Sequence, residues 1–344
     1  MKVLVIGGSI FIGKHLVYML AKQDHEITVL NRGTREIAYP QGTTHCKADR
    51  KNKEQLTEVL ADQTFDWVFD LCAYVGDDTR TVVEILNDKV EHFIHISTAG
   101  VTFQSLLESG KLIIPFFEED VPISTLKPSS DEPAYIQGKK ECEILLQEFY
   151  EKNGFPFTSI RPTFVYGPDN PLYREAYFFD RLSRDRPVFM PKPGNMLFDL
   201  VHVDDVAQLA ITAARHSEAI GECYNCSGGE FITGEQLTQL LGKIMDKPPQ
   251  IEYFTPEMLQ KVNWPERKRF ANLRDHIPDF VQFPIPFGFS MLKAAHHLGF
   301  VPQYRLKDGL TMTYEWWLQQ KREEPDWTLE NQLLNIIDIE KKRV

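Results

Sequence analysis

The sequence is short of positive charge. Its 38 lysines and arginines are outnumbered by 49 aspartates and glutamates, for a formal net charge of −11. That balance disfavours nucleic acid as a partner and leaves room only for a local basic groove. Long apolar runs are also missing. No stretch approaches the roughly 18 residues that span a bilayer, and no leader pattern precedes the first apolar run, so the expectation is a cytoplasmic protein without membrane contact. Cysteine is scarce. Cys46, Cys72, Cys142, Cys223 and Cys226 are odd in number and lack framework spacing, which excludes a disulfide scaffold and fits reduced thiols. Cys223 and Cys226 have the separation of a metal half-site, but no second pair accompanies them and on a strand their thiols would face opposite ways. No metal is expected. Internal repeats and low-complexity segments are absent.

What remains is the composition of an ordinary globular enzyme-sized chain. With 344 residues, 42% apolar and 12% aromatic, it can fill two domains or one large α/β domain. Apolar runs at 3–6, 27–30, 67–71, 93–96 and 157–161 alternate with stretches such as 12–21 and 55–60, whose apolar residues recur at helical spacing. Short buried strands separated by helices imply a doubly wound parallel sheet of the Rossmann type. The expected organisation is a dinucleotide-binding domain over 1–165, its sheet completed by parts of 190–226. Residues 166–344 form mainly a smaller substrate domain, interleaved with the first. Segments 113–133 and 277–288, rich in proline and aromatics, read as loops or lids. Residues after about Pro325 read as a loosely packed tail.

Behind the first strand stands Gly7-Gly8-Ser9-Ile10-Phe11-Ile12-Gly13. A glycine-rich turn between strand and helix is the context a dinucleotide site requires. Gly7 is expected to permit the tight turn, Gly8 to let backbone approach a pyrophosphate, and Gly13 to let helix pack on strand, with the helix N-terminus drawing phosphate. The middle glycine of such turns is replaced by Ile10, which either points away from the cofactor or crowds it. After the second strand, Asn31 stands where an acidic residue would hold a free ribose 2′-hydroxyl. Arg32 and Arg35 follow it and could pair with a 2′-phosphate. The reading therefore leans to NADP over NAD, the alternative being two solvated arginines. Asp49 is placed to accept from an adenine amino group or simply to make a turn.

Tyr135 and Lys139 lie four apart at the head of an expected helix, on one face. A lysine ammonium beside a phenol favours phenolate, which suits the phenol for general acid or base work. The run Phe93 to Gly100, "FIHISTAG", delivers Ser97 and Thr98 to the same sheet edge; Ser97 reads best as a strand-end hydroxyl.

Together the glycine turn, "ISTAG", "YIQGK", "RPTFVYGP" (161–168), "VHVDDVA" (201–207) and "LGFVPQYRLKDGL" (298–310) resemble, in order, the extended short-chain dehydrogenase/reductases, the NAD-dependent epimerase/dehydratase family. The likeness spans roughly residues 1 to 320. It implies that Thr98 hydrogen-bonds the reacting hydroxyl, Tyr135 exchanges its proton, and Lys139 holds the nicotinamide ribose. It also implies that Pro162 and Thr163 line the nicotinamide. The turn without its middle glycine and "YGPDNPLYREAYFFDRL" resemble an atypical branch that includes the chloroplast stem-loop-binding proteins. Family members that take nucleoside diphosphate sugars carry an arginine near the strand at 200–202, where this chain has Phe198; Arg267, Lys268 and Arg269 are either replacement charge or a solvated basic run.

The function expected from this is an NAD(P)-dependent oxidoreductase or epimerase acting on a secondary alcohol of a sugar-like small molecule, with a homodimer common in the family. The alternatives are an RNA-binding protein of the stem-loop type and a cofactor-sensing regulator.

Overall fold

A computed structural model describes residues 1–263, 277–282 and 285–342; Arg267, Lys268 and Arg269 lie outside the described residues. The chain forms two compact units, one of Met1–Val165, Val201–Gly229 and Phe289–Gln303, the other of Tyr166–Leu200, Glu230–Gly288 and Tyr304–Val344.

The first unit is built on β1 (Lys2–Ile6), α1 (Phe11–Ala21), β2 (Glu26–Asn31), β3 (Thr44–Lys47), α2 (Lys53–Leu60) and β4 (Phe65–Asp70). It continues through α3 (Gly76–Leu86), β5 (Val90–Ile96), α4 (Phe103–Ser109), α5 (Ala134–Asn153) and β6 (Phe157–Pro162). With strand Glu222–Cys226 these make a seven-stranded sheet in the order Glu222–Cys226, β6, β5, β4, β1, β2, β3. Every neighbouring pair is parallel. All the carboxyl ends therefore share one edge, where an open α/β sheet offers its ligand crevice.

Alternation along each strand sorts side chains between two faces. Val3, Val5, Ile27, Val29, Phe69, Ile94 and Ile160 form one core with Leu16, Val17 and Leu20 of α1 and Val206, Leu209 and Ala210 of helix Val203–Ala214. Each fully buried large aliphatic side chain contributes about 1.5–3 kcal/mol. On the α3–α5 side the close approach has a single-atom cause. A Cβ on Gly138 would lie 1.9 Å from the carbonyl oxygen of Tyr74.

β3 is absent from the hydrophobic pattern because its sequence, Thr-His-Cys-Lys, is polar and no residue of it is buried, as an edge strand allows.

In the second unit, strand Val188–Pro191 pairs in parallel with Ile251–Phe254, and residues 197–199 pair antiparallel with Phe231–Thr233. Every residue of helix Glu175–Leu182 is buried. The expected loose tail is instead helix Thr328–Lys341, which buries Glu330, Leu333 and Ile337. Arg181 and Glu330 fix it with a buried ion pair at 2.7 Å. Phe198 is a core residue, 1% exposed, with its ring 4.9 Å from that of Phe280.

Candidate functional site

The turn after β1 explains how Ile10 is tolerated. The left-handed φ angles fall on Gly7 (+102°) and Phe11 (+44°), while Ile10 is extended at φ −143° and 38% exposed. The replaced glycine was not needed for backbone conformation, and the side chain turns to solvent. Gly13 sits where a Cβ would come within 2.6 Å of the Gly7 carbonyl oxygen, so helix and strand meet only without a side chain there. Gly8 differs from expectation. Its Cβ would meet Val17 at 2.9 Å, Val29 at 3.1 Å and Val5 at 3.2 Å, so the missing side chain serves core packing and not access to a ligand. Ile10 supplies no side-chain cap and the first turn of α1 holds no acidic residue; the Gly13 and Lys14 N–H groups donate to the Ile10 carbonyl at 3.1 and 3.3 Å, which leaves the amides of Phe11 and Ile12 to face an outside anion.

At the end of β2, the Asn31 side chain is committed internally. It donates to the Tyr39 hydroxyl at 2.8 Å and its Oδ1 accepts from Gly33 N–H at 2.8 Å and from His45 Nε2 at 3.0 Å. Asn31 thus shapes the loop that displays the exposed Arg32 and Arg35. A third cation, Lys47, enters this neighbourhood, its stem crossing Gly33 where a Cβ would approach Lys47 Cδ at 2.8 Å. One carboxylate oxygen of Asp49 accepts from Lys51 N–H at 3.0 Å, a turn contact.

Beneath the glycine turn lies a charged network that the motif reading missed. Asp70, at the end of β4 and fully buried, takes two bonds from Arg50, Nη1 to Oδ1 at 2.6 Å and Nη2 to Oδ2 at 3.0 Å. Burial alone would push the Asp70 carboxyl up; the Arg50 guanidinium outweighs it and holds the group below its ordinary value. Arg50 also donates to Cys72 Sγ at 3.3 Å, and that sulfur would lie 3.0 Å from a Cβ on Gly7. The network therefore props the turn from below. The one signal in sequence is an aspartate closing the apolar run "WVFD".

Tyr135 and Lys139 occupy the first turns of α5. Lys139, 2% exposed, donates from Nζ to the Ile96 carbonyl oxygen at 2.5 Å, which ties the helix to the end of β5. Burial pulls its pKa down, with Cys142 and Asp70 acting in the opposite sense. Tyr135 is 46% exposed. Thr98 caps the turn Ala99–Thr102, its Oγ1 accepting from Gly100 N–H at 3.2 Å, which leaves its O–H as a donor. A Cβ on Gly100 would lie 2.7 Å from Ile136 Cδ1, so the Thr98 turn rests directly on the α5 residue next to Tyr135. Ser97 is buried and its N–H donates to the Ile160 carbonyl at 2.7 Å. Pro162 closes β6, and Thr163 N–H donates to the Cys226 carbonyl at 2.9 Å.

A parallel sheet with a glycine turn after β1 and a tyrosine–lysine pair at the same edge defines a dinucleotide-binding protein of the Rossmann type. Residues 3–227 match the NAD dependent epimerase/dehydratase family, and the chain belongs to that family of NAD-dependent enzymes. It is 30% identical over 350 residues to the chloroplast stem-loop binding protein of 41 kDa b of Arabidopsis thaliana, covering 97% of this chain and 84% of that protein. Among solved structures, the dTDP-glucose 4,6-dehydratase of Bacillus anthracis in complex with NAD shares the fold with a TM-score of 0.72 at 19% identity, covering 93% of this chain and 97% of that one. UDP-glucose 4-epimerase of Thermotoga maritima does so with a TM-score of 0.70 at 23% identity, covering 93% and 99%. Among the described residues no helix is long and apolar enough to cross a membrane.

Proposed function

We propose that the protein is an NAD(P)-dependent epimerase, dehydratase or reductase acting on a secondary alcohol of a sugar or sugar nucleotide. Thr98, Tyr135 and Lys139 are the reacting set. The observation that carries this reading is the buried Lys139 ammonium, held by the Ile96 carbonyl at 2.5 Å one helical turn from the exposed Tyr135 phenol, with the Thr98 turn seated beside them. A cation fixed in a low-dielectric edge favours the ionised form of a neighbouring phenol more than the same cation in water would.

Phe11 and Ile12 would hold the diphosphate of a dinucleotide by their backbone N–H groups, on a turn that Gly7, Ser9 and Gly13 close with internal bonds from their own N–H groups to the Leu30, Gly7 and Ile10 carbonyls, and Lys139, Pro162 and Thr163 would flank its nicotinamide half. The uncapped start of α1 and the tight Gly7–Gly13 approach fit that group. When bound, the nicotinamide supplies a hydride acceptor and donor. The chain's own part is proton handling. Thr98 donates to the reacting oxygen and fixes its distance, Tyr135 takes the hydroxyl proton as the alcohol is oxidised and returns it on reduction, and Lys139 keeps the phenol in the state that can do so. Arg32 and Arg35 favour a 2′-phosphate, and Lys47 adds to the same field, so NADP is the preferred dinucleotide.

Calorimetry with both dinucleotides, followed by a thermal-shift screen of sugars and sugar nucleotides in saturating cofactor, tests the reading. NADP should bind more tightly than NAD, Arg32→Ala should shrink that difference, and a sugar or sugar nucleotide should stabilise the complex. The 30% relative favours one rival, RNA binding on the same fold. Tight binding of structured RNA with no response to dinucleotide or sugar would select it.

A further inference from the structure

Tyr74 belongs to no motif, yet its backbone is clamped from several sides. Its N–H donates to Asp78 Oδ2 at 2.9 Å, and its carbonyl occupies the space that a side chain at position 138 would fill. The next residues are strapped to the same helix. Gly76 N–H donates to Glu141 Oε2 at 3.1 Å, and Cys142 Sγ donates to the Val75 carbonyl at 3.3 Å. Three contacts along α5, at 138, 141 and 142, thus fix where the Tyr74 ring projects. It projects over the reacting pair. Lys139 Nζ lies 5.4 Å from its centroid, and the Tyr135 ring lies 6.2 Å away at 48°. Tyr74 is 52% exposed while Lys139 is 2% exposed, so the aromatic ring stands between the ammonium and solvent.

We infer that Tyr74 is a positioning residue for the Tyr135–Lys139 pair. Its ring caps the Lys139 ammonium by a cation–π contact and keeps water from screening that charge from the Tyr135 phenol. The inference rests on the proposed role of the pair and deepens it. A cation over an aromatic face loses hydration without losing electrostatic support, so its field acts through protein and not through water. The ring, and not the hydroxyl, is the working part; burial pushes the Tyr74 phenol up, so it stays neutral. The other titratable groups facing Lys139 are Asp70 and Cys72 at the end of β4, Arg50 before α2, His95 on β5 and Cys142 on α5. None of these is altered by substitution at position 74.

The test needs no substrate. The pH midpoint of Tyr135 ionisation is read from the phenolate absorbance difference between each protein and its Tyr135→Phe counterpart. Tyr74→Phe should leave the midpoint where it is in the wild type. Tyr74→Leu should raise it by about one pH unit, a tenfold weaker acid, and Lys139→Met should raise it at least as far. Tyr74→Leu added to Lys139→Met should add nothing, since the effect runs through the ammonium. If Lys139→Met raises the midpoint and Tyr74→Leu does not, the role of Tyr74 is overturned and the pair stands. If Lys139→Met leaves it unmoved, the pair itself fails and Tyr74 falls with it. A ring half in solvent tolerates leucine; should that variant not fold, Tyr74→Met, which fills the space without a π face, is read in the same way.

Discussion

Replacing Asp70 by asparagine tests the prop beneath the glycine turn. Asp70 is 0% exposed and Arg50 9% exposed, so solvent screening does little for either charge. The substitution keeps the shape but removes the negative partner at 2.6 and 3.0 Å. Arg50 would keep the Asp78 carboxylate at 3.8 Å, the Asp78 carbonyl at 2.9 Å and the Cys72 sulfur at 3.3 Å. Stripping one partner from a buried pair costs about 3–5 kcal/mol; with Asp78 remaining, the lower end, about 3 kcal/mol, is expected. Urea unfolding at pH 7 measures it, and Asp70→Asn with Arg50→Met should cost less than the sum of the two single changes. The pH dependence has a definite sign. The folded Asp70 carboxyl lies below its ordinary 3.8, so its contribution is present above that value and lost as pH falls through the folded pKa. A loss under 1 kcal/mol, or strict additivity, would refute the reasoning.

Acid should weaken the fold before the carboxylates titrate. Burial lowers His95 to about 3 and His92 and His202 each to about 4, from an ordinary 6.5. Below 6.5 the unfolded chain therefore binds protons that the native one refuses, and each histidine removes about 1.4 kcal/mol per pH unit; His95→Leu should reduce the measured slope between about pH 6 and 4. Glu175 behaves oppositely, its buried carboxyl pushed up to about 7 from 4.5, so its contribution is full below 4.5 and lost as pH rises through 7. Glu175→Gln, still able to accept from Gly167 N–H and Asn170, should raise Tm at pH 8 and leave it nearly unchanged at pH 5. Gly13→Ala should abolish dinucleotide binding in calorimetry, because its Cβ would sit 2.6 Å from the Gly7 carbonyl oxygen, whereas Ile10→Gly should change the affinity little.

The strands of the sheet were legible where apolar runs are short and unbroken, as in Val3–Ile6 and Phe93–Ile96, and the site where several motifs came in family order. β3 was not legible because an edge strand needs no apolar residues. Helix Thr328–Lys341 was hidden because it docks with only a few buried residues and an ion pair to Arg181, 149 positions away. That Phe198 fills a core was hidden for a related reason: a family position does not reveal what its side chain packs against in this chain. Gly8 shows the same ambiguity on a smaller scale, since a glycine looks alike in sequence whether it makes room for a phosphate or for three valines. The Arg50–Asp70–Cys72 prop joins positions 20 and more apart, and nothing local marks it beyond one buried aspartate.

The central claim is that Tyr135 performs the proton transfer and is not a bystander of the fold. Once a substrate is found in the thermal-shift screen, Tyr135→Phe measured beside the wild type decides it. Dinucleotide affinity and Tm should be nearly unchanged, while kcat falls by at least about 10²-fold, the scale of a lost general acid or base. Turnover retained within a few-fold, with affinity and stability intact, would contradict the account and move the proton chemistry to another residue.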